Sequence, residues 1–333
     1  MFELSTIWAG IIAFAVLTFV VLDGFDLGVG ILFPFARSHD HRDVMMNTVA
    51  PVWDGNETWL VMGGGGLFAV FPLAYAIVMP ALYMPILLML LALVFRGVAF
   101  EFRWRTERWR GVWDIAFIGG SALAAFCQGI ALGALVQGIE VDGRAYGGGW
   151  WDWLTGFSIL TGAAVVLGYA LLGSTWLVMK TDGPLQAQMR ALSWPLGVAT
   201  LACIGAVSLA TPFLDPVYFE RWFTLPSALY SAAVPVLLAA AVWRLYRGLS
   251  GNADMEPFLA TLAIFVLCFI GIGISFYPNI VPPNLSIAAA AAPDESLLFT
   301  LVGAAVLLPL ILAYTAYAYW VFRGKVDAKT GYH

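Results

Sequence analysis

Nine long apolar stretches run through this 333-residue chain and restrict what it can fold into. Hydrocarbon about 30 Å thick requires roughly 20 apolar residues to cross as a helix, because lipid offers backbone amides no hydrogen-bond partner. With 61% apolar residues, the chain predicts an all-α polytopic membrane protein. The predicted spans are 6–33, 55–73, 76–100, 113–136, 155–179, 194–212, 225–246, 258–277 and 297–322, of which the second and sixth are short.

The Lys and Arg residues are divided very unequally between the two sides of this topology. Nine spans place the termini on opposite faces, and one set of loops carries only Arg144 and Arg221 of the 16 basic residues. Because cytoplasmic loops are enriched in Lys and Arg, we expect the N-terminus outside and the C-terminus in the cytoplasm, with 1–333 as a single transmembrane domain. The predicted cytoplasmic residues are Arg37, Arg42, Arg96, Arg103, Arg105, Arg108, Arg110, Lys180, Arg190, Arg244, Arg247, Arg323, Lys325 and Lys329.

Several other features favour packing over chemistry. Met1–Ile7 lacks a basic segment, so the first apolar run is expected to stay as a span and not to be cleaved as a signal. Cys127, Cys203 and Cys268 fall in separate predicted spans without CxxC spacing, which is typical of small packing residues. The aromatic cluster Trp150–Trp153 fits an interfacial belt, with quinone stacking as the alternative.

Ionisable residues in or beside apolar helix are rare and mark functional sites in membrane proteins. Asp23 and Asp26 lie three residues apart toward the cytoplasmic end of the first span, so they share roughly one helical face. Asp54 and Glu57 repeat this spacing where the chain re-enters the membrane from the same side. The charged residues beside the third and fourth spans are Arg96, Glu101 and Asp114. All seven are expected in the cytoplasmic half of the membrane.

This clustering predicts a path for protons. A carboxylate in a medium of low dielectric constant resists ionisation, so it can take up and release protons near neutral pH. The predicted path comprises Asp54, Asp26, Asp23 and Glu57. The candidate charge partners are Arg96, Glu101 and Asp114. Two structural alternatives remain open: Asp54 can cap its helix, and Arg96 can simply neutralise one of the acids.

Glycines accompany the acids. Gly24 and Gly28 form a GxxxG pair around Asp26, and a four-glycine run occupies 63–66. Small residues let helix backbones approach closely in lipid, so close packing is the expected role of both sets. A phosphate-binding loop is disfavoured, since no strand precedes the run and no Gly-Lys-Ser/Thr follows it.

Three stretches of the N-terminal third carry a family resemblance. The segments LDGFDLGVGIL, MMNTVAPVWDGNETWLVMGGGGLFAVFP and LVFRGVAFEFRWR occur in this order. They resemble subunit II of the cytochrome bd family of quinol oxidases, the cyanide-insensitive branch included. Beyond them, the likeness lies in the number, spacing and loop placement of the spans. We expect about nine transmembrane helices, arranged as two four-helix bundles plus one peripheral helix.

The resemblance implies a division of labour within a complex in the bacterial cytoplasmic (inner) membrane. A subunit I would hold all the haem, two b-type and one d-type, or b in place of d. It would oxidise ubiquinol or menaquinol at the outer face and reduce oxygen to water. Subunit II would support it and contribute to a channel for cytoplasmic protons, to which the Asp of WDGN and the second Asp of DGFD are assigned. These positions are Asp54 and Asp26 here.

Further components follow from the same resemblance. Several members hold a bound, structural quinone in subunit II, and many include a small single-span accessory subunit. Uptake of protons from inside, with release outside on quinol oxidation, would build a proton motive force without a pumping cycle. The apolar, glycine-rich faces of the early spans are expected to contact subunit I.

The histidines argue independently that this chain does not ligate haem. His39 and His41 lie in a predicted cytoplasmic loop and His333 at the end of the chain, whereas haem iron needs axial ligands buried beside it. Two other readings remain open, a purely structural membrane subunit and an ion- or proton-coupled secondary transporter. A transporter's coupling site is expected near the membrane midplane, whereas these acids lie toward one face.

Overall fold

The computed structural model describes residues 3–106, 108–251 and 253–326, so Lys329 and His333 lie outside the described residues. Helices make up almost all of the described chain, with two short antiparallel β-hairpins between them. The elements are α1 Leu4–Leu32, α2 His39–Val49, α3 Trp53–Val70, α4 Pro72–Ala81, α5 Tyr83–Arg105, α6 Arg110–Gln137, β1 Val141–Asp142, β2 Ala145–Tyr146, α7 Gly156–Lys180, α8 Gly183–Ala210, α9 Pro216–Phe223, α10 Ser227–Ser250, α11 Glu256–Phe276, β3 Asn279–Val281, β4 Leu285–Ser286, α12 Ile287–Ala290 and α13 Asp294–Val321.

Within the described residues, 8 helices are long and apolar enough to cross a membrane: α1, α5, α6, α7, α8, α10, α11 and α13. The predicted span 55–73 corresponds to α3, whose polar first turns keep it out of this set. Two contacts show that α3 nevertheless runs antiparallel along α1. Asn56 bonds to Asp26 near one end of α3, and Gly63, further along α3, lies against Val16, which comes earlier in α1. It therefore connects the two ends of the bundle, as the predicted span 55–73 should.

Two predicted span boundaries are wrong. The third span was placed at 76–100, but Leu82 separates the short helix α4 from α5, and prolines at 72, 80 and 85 interrupt helical hydrogen bonding in this region. The sixth span was placed at 194–212, whereas α8 begins at Gly183. Its first turns carry polar residues that hide the helix from an apolar pattern, and Pro184 suits a helix start.

Most of the described basic residues gather at one end of the bundle, whereas Arg144 and Arg221 lie at the other, as predicted. Arg103 bonds to Asp43 and Asp114, and Arg190 bonds to the carbonyl oxygen of Gly248 at the same end. We call this the basic end. The opposite end carries both hairpins, and there Trp8 donates to the carbonyl oxygen of Leu297.

The helices form two groups, which are joined where α7 packs against α1 and α6. Helices α1, α3, α5 and α6 pack as the first group, and α7, α8, α10 and α11 as the second. Helix α13 lies against α1 and α3, and Leu297 is its only residue buried in the described chain. The predicted all-α membrane fold is confirmed, and this arrangement matches two four-helix bundles with one peripheral helix.

The seam between the two groups depends on glycine. A Cβ atom at Gly28 would meet the carbonyl oxygen of Tyr169 and lie 2.8 Å from the amide nitrogen of Gly173. The α1 and α7 backbones are therefore in direct contact, as expected for a GxxxG face.

The four-glycine run at 63–66 does not pack in this way. Gly63 lies against Val16, but positions 64 and 65 face open space, so close packing within this chain does not explain them.

The C-terminal end of α13 is held to the second group. Lys180 donates to the carbonyl oxygens of Phe322 and Gly324, which lie just past the last residue of α13. Lys325 bonds to Asp182 and Asp254, both at 2.6 Å. Burial alone would raise the pKa of Asp254, but its bond to Lys325 and the charge of that ammonium outweigh burial and lower it. These contacts fix the position of the last turns of α13.

We predict that Gly28→Ala destabilises the protein by about 1–3 kcal/mol, because the added methyl group forces two backbones apart. Thermal unfolding of the purified protein in mild detergent measures the effect. Gly119→Ala is the matched control, since position 119 lies in a helix with open space around it. Equal melting temperatures for the two variants would contradict direct backbone contact at this seam.

Candidate functional site

Arg96 lies at the centre of an acidic cluster at the basic end. Its side chain, on α5, is fully buried. The Nη1 atom donates to Glu57 Oε1 at 2.8 Å and lies 3.6 Å from Asp23 Oδ1. The guanidinium also lies 5.9 Å from the centroid of the Trp53 ring and 5.4 Å from that of Phe100, within range of cation–π attraction. Helices α1, α3 and α5 thus meet around a single cation.

Asp23 and Asp26 are both buried in α1. Asp26 Oδ2 accepts a hydrogen bond from Asn56 Nδ2 at 2.7 Å. Both oxygens of Asp23 and the Oδ1 atom of Asp26 have no hydrogen-bond partner among the described residues. Buried carboxylate oxygens without partners are costly to ionise.

Two residues that sequence reasoning missed complete this site. Asn56 is buried, and its Oδ1 atom accepts from the Tyr319 hydroxyl at 2.9 Å while its amide nitrogen faces Asp26. Asn56 stands within the WDGN motif, so the motif could have indicated it. Tyr319 is one of several tyrosines near the end of α13, and no sequence signal distinguishes it.

A small cleft of about 20 Å³ lies beside this pair, between the start of α3 and the last turns of α13. Asn56 and Tyr319 line it together with Gly55 and Thr315. A volume of this size admits a single water molecule. The cleft therefore lies one hydrogen bond from the buried carboxylate of Asp26.

The structure places the other predicted residues outside the cluster. Asp54 is exposed in the first turn of α3, and no side-chain cap is present at this helix start in the described residues. Glu101 is exposed and pairs with Arg105 one turn along α5 at 3.4 Å. Neither reaches Arg96. Glu101 therefore does not serve as its charge partner in this chain.

Asp114 belongs to a second ionic cluster. Its carboxylate accepts from Arg103 Nε at 2.6 Å and from Arg42 Nη1 at 2.9 Å. Arg103 and Arg110 both donate to Asp43 on α2. Three cations thus face two carboxylates, and this cluster ties α2 to α5 and α6. It needs no additional positive charge.

The charge balance around Arg96 is the opposite. The carboxylates of Asp23 and Glu57 lie within 4 Å of the one guanidinium, and that of Asp26 is within reach of its charge without touching it. If all three were ionised, the buried site would carry two uncompensated negative charges, which a low-dielectric environment strongly disfavours. The site can lower this cost by binding protons. What the arrangement can do chemically is hold and exchange protons.

The two described histidines lie away from the Arg96 cluster. His39 and His41 lie on α2 at the surface of the basic end, and His39 is exposed. No cluster of three or more His, Cys, Asp or Glu side chains with a metal-binding arrangement occurs within residues 3–106, 108–251 and 253–326.

Comparison with known proteins identifies the family. The family model for cytochrome bd terminal oxidase subunit II matches residues 4–322. Cytochrome bd ubiquinol oxidase subunit 2 of Bacillus subtilis (strain 168) is 31% identical, and the alignment covers 99% of this chain and 98% of that protein. Cytochrome bd-I ubiquinol oxidase subunit 2 of Escherichia coli (strain K12) is 30% identical, with 97% and 95% covered.

The fold agrees with this result. A chain of the bd oxidase from Geobacillus thermodenitrificans superimposes with a TM-score of 0.77 at 17% sequence identity, covering 96% of this chain and 98% of that one. Its likeness establishes the membrane fold, and the sequence matches establish the family. Membership favours the quinol oxidase over the coupled transporter. This chain belongs to the cytochrome bd terminal oxidase subunit II family.

Proposed function

We propose that this chain is the subunit of a cytochrome bd-type quinol:oxygen oxidoreductase that carries protons from the cytoplasm toward the oxygen-reducing partner. One observation carries the proposal. Asp23, Asp26 and Glu57 are gathered around the single cation of Arg96, at the end of the bundle where the basic residues lie. A buried site with more carboxylates than cations keeps protons that it can pass on.

The proposed division of labour is the one that the family resemblance implies. A haem-bearing subunit I transfers electrons from quinol to oxygen, and this chain supports that subunit and supplies part of the inward proton route. Protons consumed from the cytoplasmic side, with protons from quinol released outside, move charge across the membrane. Each elementary charge moved stores about 2.3 kcal/mol per 100 mV. No pumping cycle is required.

The exposed face of α3 is the proposed contact with subunit I. Asp54, Thr58, Val61, Gly65 and Phe68 follow a spacing of alternately four and three residues, and all five are exposed in the isolated chain. A carboxylate turned toward lipid is costly, whereas one at a protein interface can be solvated or paired. Gly65 has open space around it, so a partner helix can approach closely. Asp54 would then lie at the subunit boundary, at the mouth of the route.

We predict that Asp26→Asn and Asp54→Asn each slow quinol-driven oxygen consumption by about 10²-fold, because each replaces a carboxyl group with an amide of nearly the same shape that cannot pass a proton on. Oxygen uptake by the purified complex, expressed per haem, measures the effect. Asp40→Asn is the control, since Asp40 is an exposed acid at the same end and outside the cluster. Full turnover of the assembled Asp26→Asn complex at every pH would exclude Asp26 from proton uptake.

A larger side chain at position 65 tests the proposed interface. We predict that Gly65→Leu sharply reduces the amount of haem that copurifies with this chain, because the larger side chain keeps the partner away. The absorption spectrum of the complex, purified by a tag on this chain, measures the haem. Gly205→Leu on α8 is the matched control, since Gly205 also has open space around it but lies in the second group. Equal haem recovery from both variants would rule out this face as the interface.

A further inference from the structure

We infer that Tyr319 is a positioning residue that, acting through Asn56, orients Asp26 and sets the pH range in which this site exchanges protons. The inference rests on the proposed proton route and assigns a role to the C-terminal helix in it. Two residues separated by 263 positions in the chain meet here. The sequence spacing of the acids did not indicate that Tyr319 contacts Asn56.

The hydrogen bonds have a direction. The Tyr319 hydroxyl donates to Asn56 Oδ1 at 2.9 Å, so the amide nitrogen of Asn56 must face the other way. That nitrogen donates to Asp26 Oδ2 at 2.7 Å and points toward the carbonyl oxygen of Leu22 at 3.4 Å. Without the hydroxyl, the amide oxygen loses its donor, and the orientation that turns the nitrogen toward Asp26 is less strongly favoured. An amide oxygen can only accept, so it suits a protonated carboxyl and opposes an ionised one.

Tyr319 is itself held firmly. Its ring packs edge-on against Phe25 and Trp176, each with a centroid distance of 6.4 Å. The helix that carries it is anchored at its end by Lys180, which bonds to the carbonyl oxygen of Gly324 at 2.8 Å. A rigid hydroxyl is what a positioning role requires. The adjacent cleft is lined by Tyr319 and Asn56, so water that enters it reaches the same hydrogen-bonded pair.

Other charged and titratable groups also act on Asp26. They come from the same helix and from the helices around it, and each remains in place when only the hydroxyl of Tyr319 is removed. These groups are Asp23 on α1, Glu57 on α3, Arg96 on α5 and, beside Asp23, Tyr169 on α7. Removal of the hydroxyl therefore changes one interaction in a constant electrostatic environment.

The test uses the complete oxidase complex and compares pH profiles of oxygen consumption per haem. We expect Tyr319→Phe to move the profile to higher pH by roughly one unit, the size of one hydrogen bond to a charged group. Tyr317→Phe is the matched control, because Tyr317 lies on the same helix, exposed and outside the cleft. A Tyr319→Phe profile that coincides with the Tyr317→Phe profile overturns the inference.

A double variant separates positioning from general loosening of the structure. Asn56→Leu removes the intermediary at similar size, so Tyr319→Phe should add no further shift in the Asn56→Leu background. Additive shifts would show that Tyr319 acts by another route and would overturn the inference. If Asn56→Leu lowers assembly, the comparison between Tyr319→Phe and Tyr317→Phe still decides the question.

The Asp26→Asn variant distinguishes failure of this inference from failure of the proposed function. If Asp26→Asn slows turnover but Tyr319→Phe leaves the pH profile unchanged, the route stands and the positioning role falls. If Asp26→Asn itself retains wild-type turnover and profile, the route through Asp26 falls, and the positioning role falls with it.

Discussion

The proposed proton site depends on a single buried guanidinium, that of Arg96, whose charge acts on three carboxylates. Arg96 holds Glu57 by a direct hydrogen bond and Asp23 at longer range, while Asp26 relies on Asn56. One cation cannot neutralise three anions, so the cluster must carry either a large uncompensated charge or protons. Burial makes a large uncompensated charge costly in free energy. The same excess of acid that would weaken a purely structural site makes this one suitable for proton exchange.

The second ionic cluster shows what a structural site looks like in the same molecule. Around Asp43 and Asp114, three arginines outnumber the acids, and the bonds tie a surface helix to the bundle. Both clusters lie at the basic end, and both contain a fully buried arginine. Their charge balance separates them. This difference supports the proposal that Asp114 anchors the helices, whereas Asp23, Asp26 and Glu57 handle protons.

Much of this arrangement could be predicted from the sequence, since lipid permits few solutions. Apolar runs predicted the spans, and the basic loops predicted which helix ends lie together. The i, i+3 spacing of Asp23 with Asp26 and of Asp54 with Glu57 indicated paired acids. Contacts between distant segments were not predictable. Tyr319 reaches Asn56 only because α13 folds back along α1 and α3, and the exposure of Asp54 depends on how α3 rotates about its axis.

The Arg96 cluster should retain protons at neutral pH, and infrared difference spectroscopy of the purified complex can detect them. Protonated carboxyl groups absorb apart from carboxylates, so redox-induced spectra should contain a protonated carboxyl band. This band should be lost or shifted in Asp23→Asn, Asp26→Asn or Glu57→Gln. It should be unchanged in Asp114→Asn. A spectrum without a protonated carboxyl band that responds to any of the three cluster variants would contradict proton retention by the cluster.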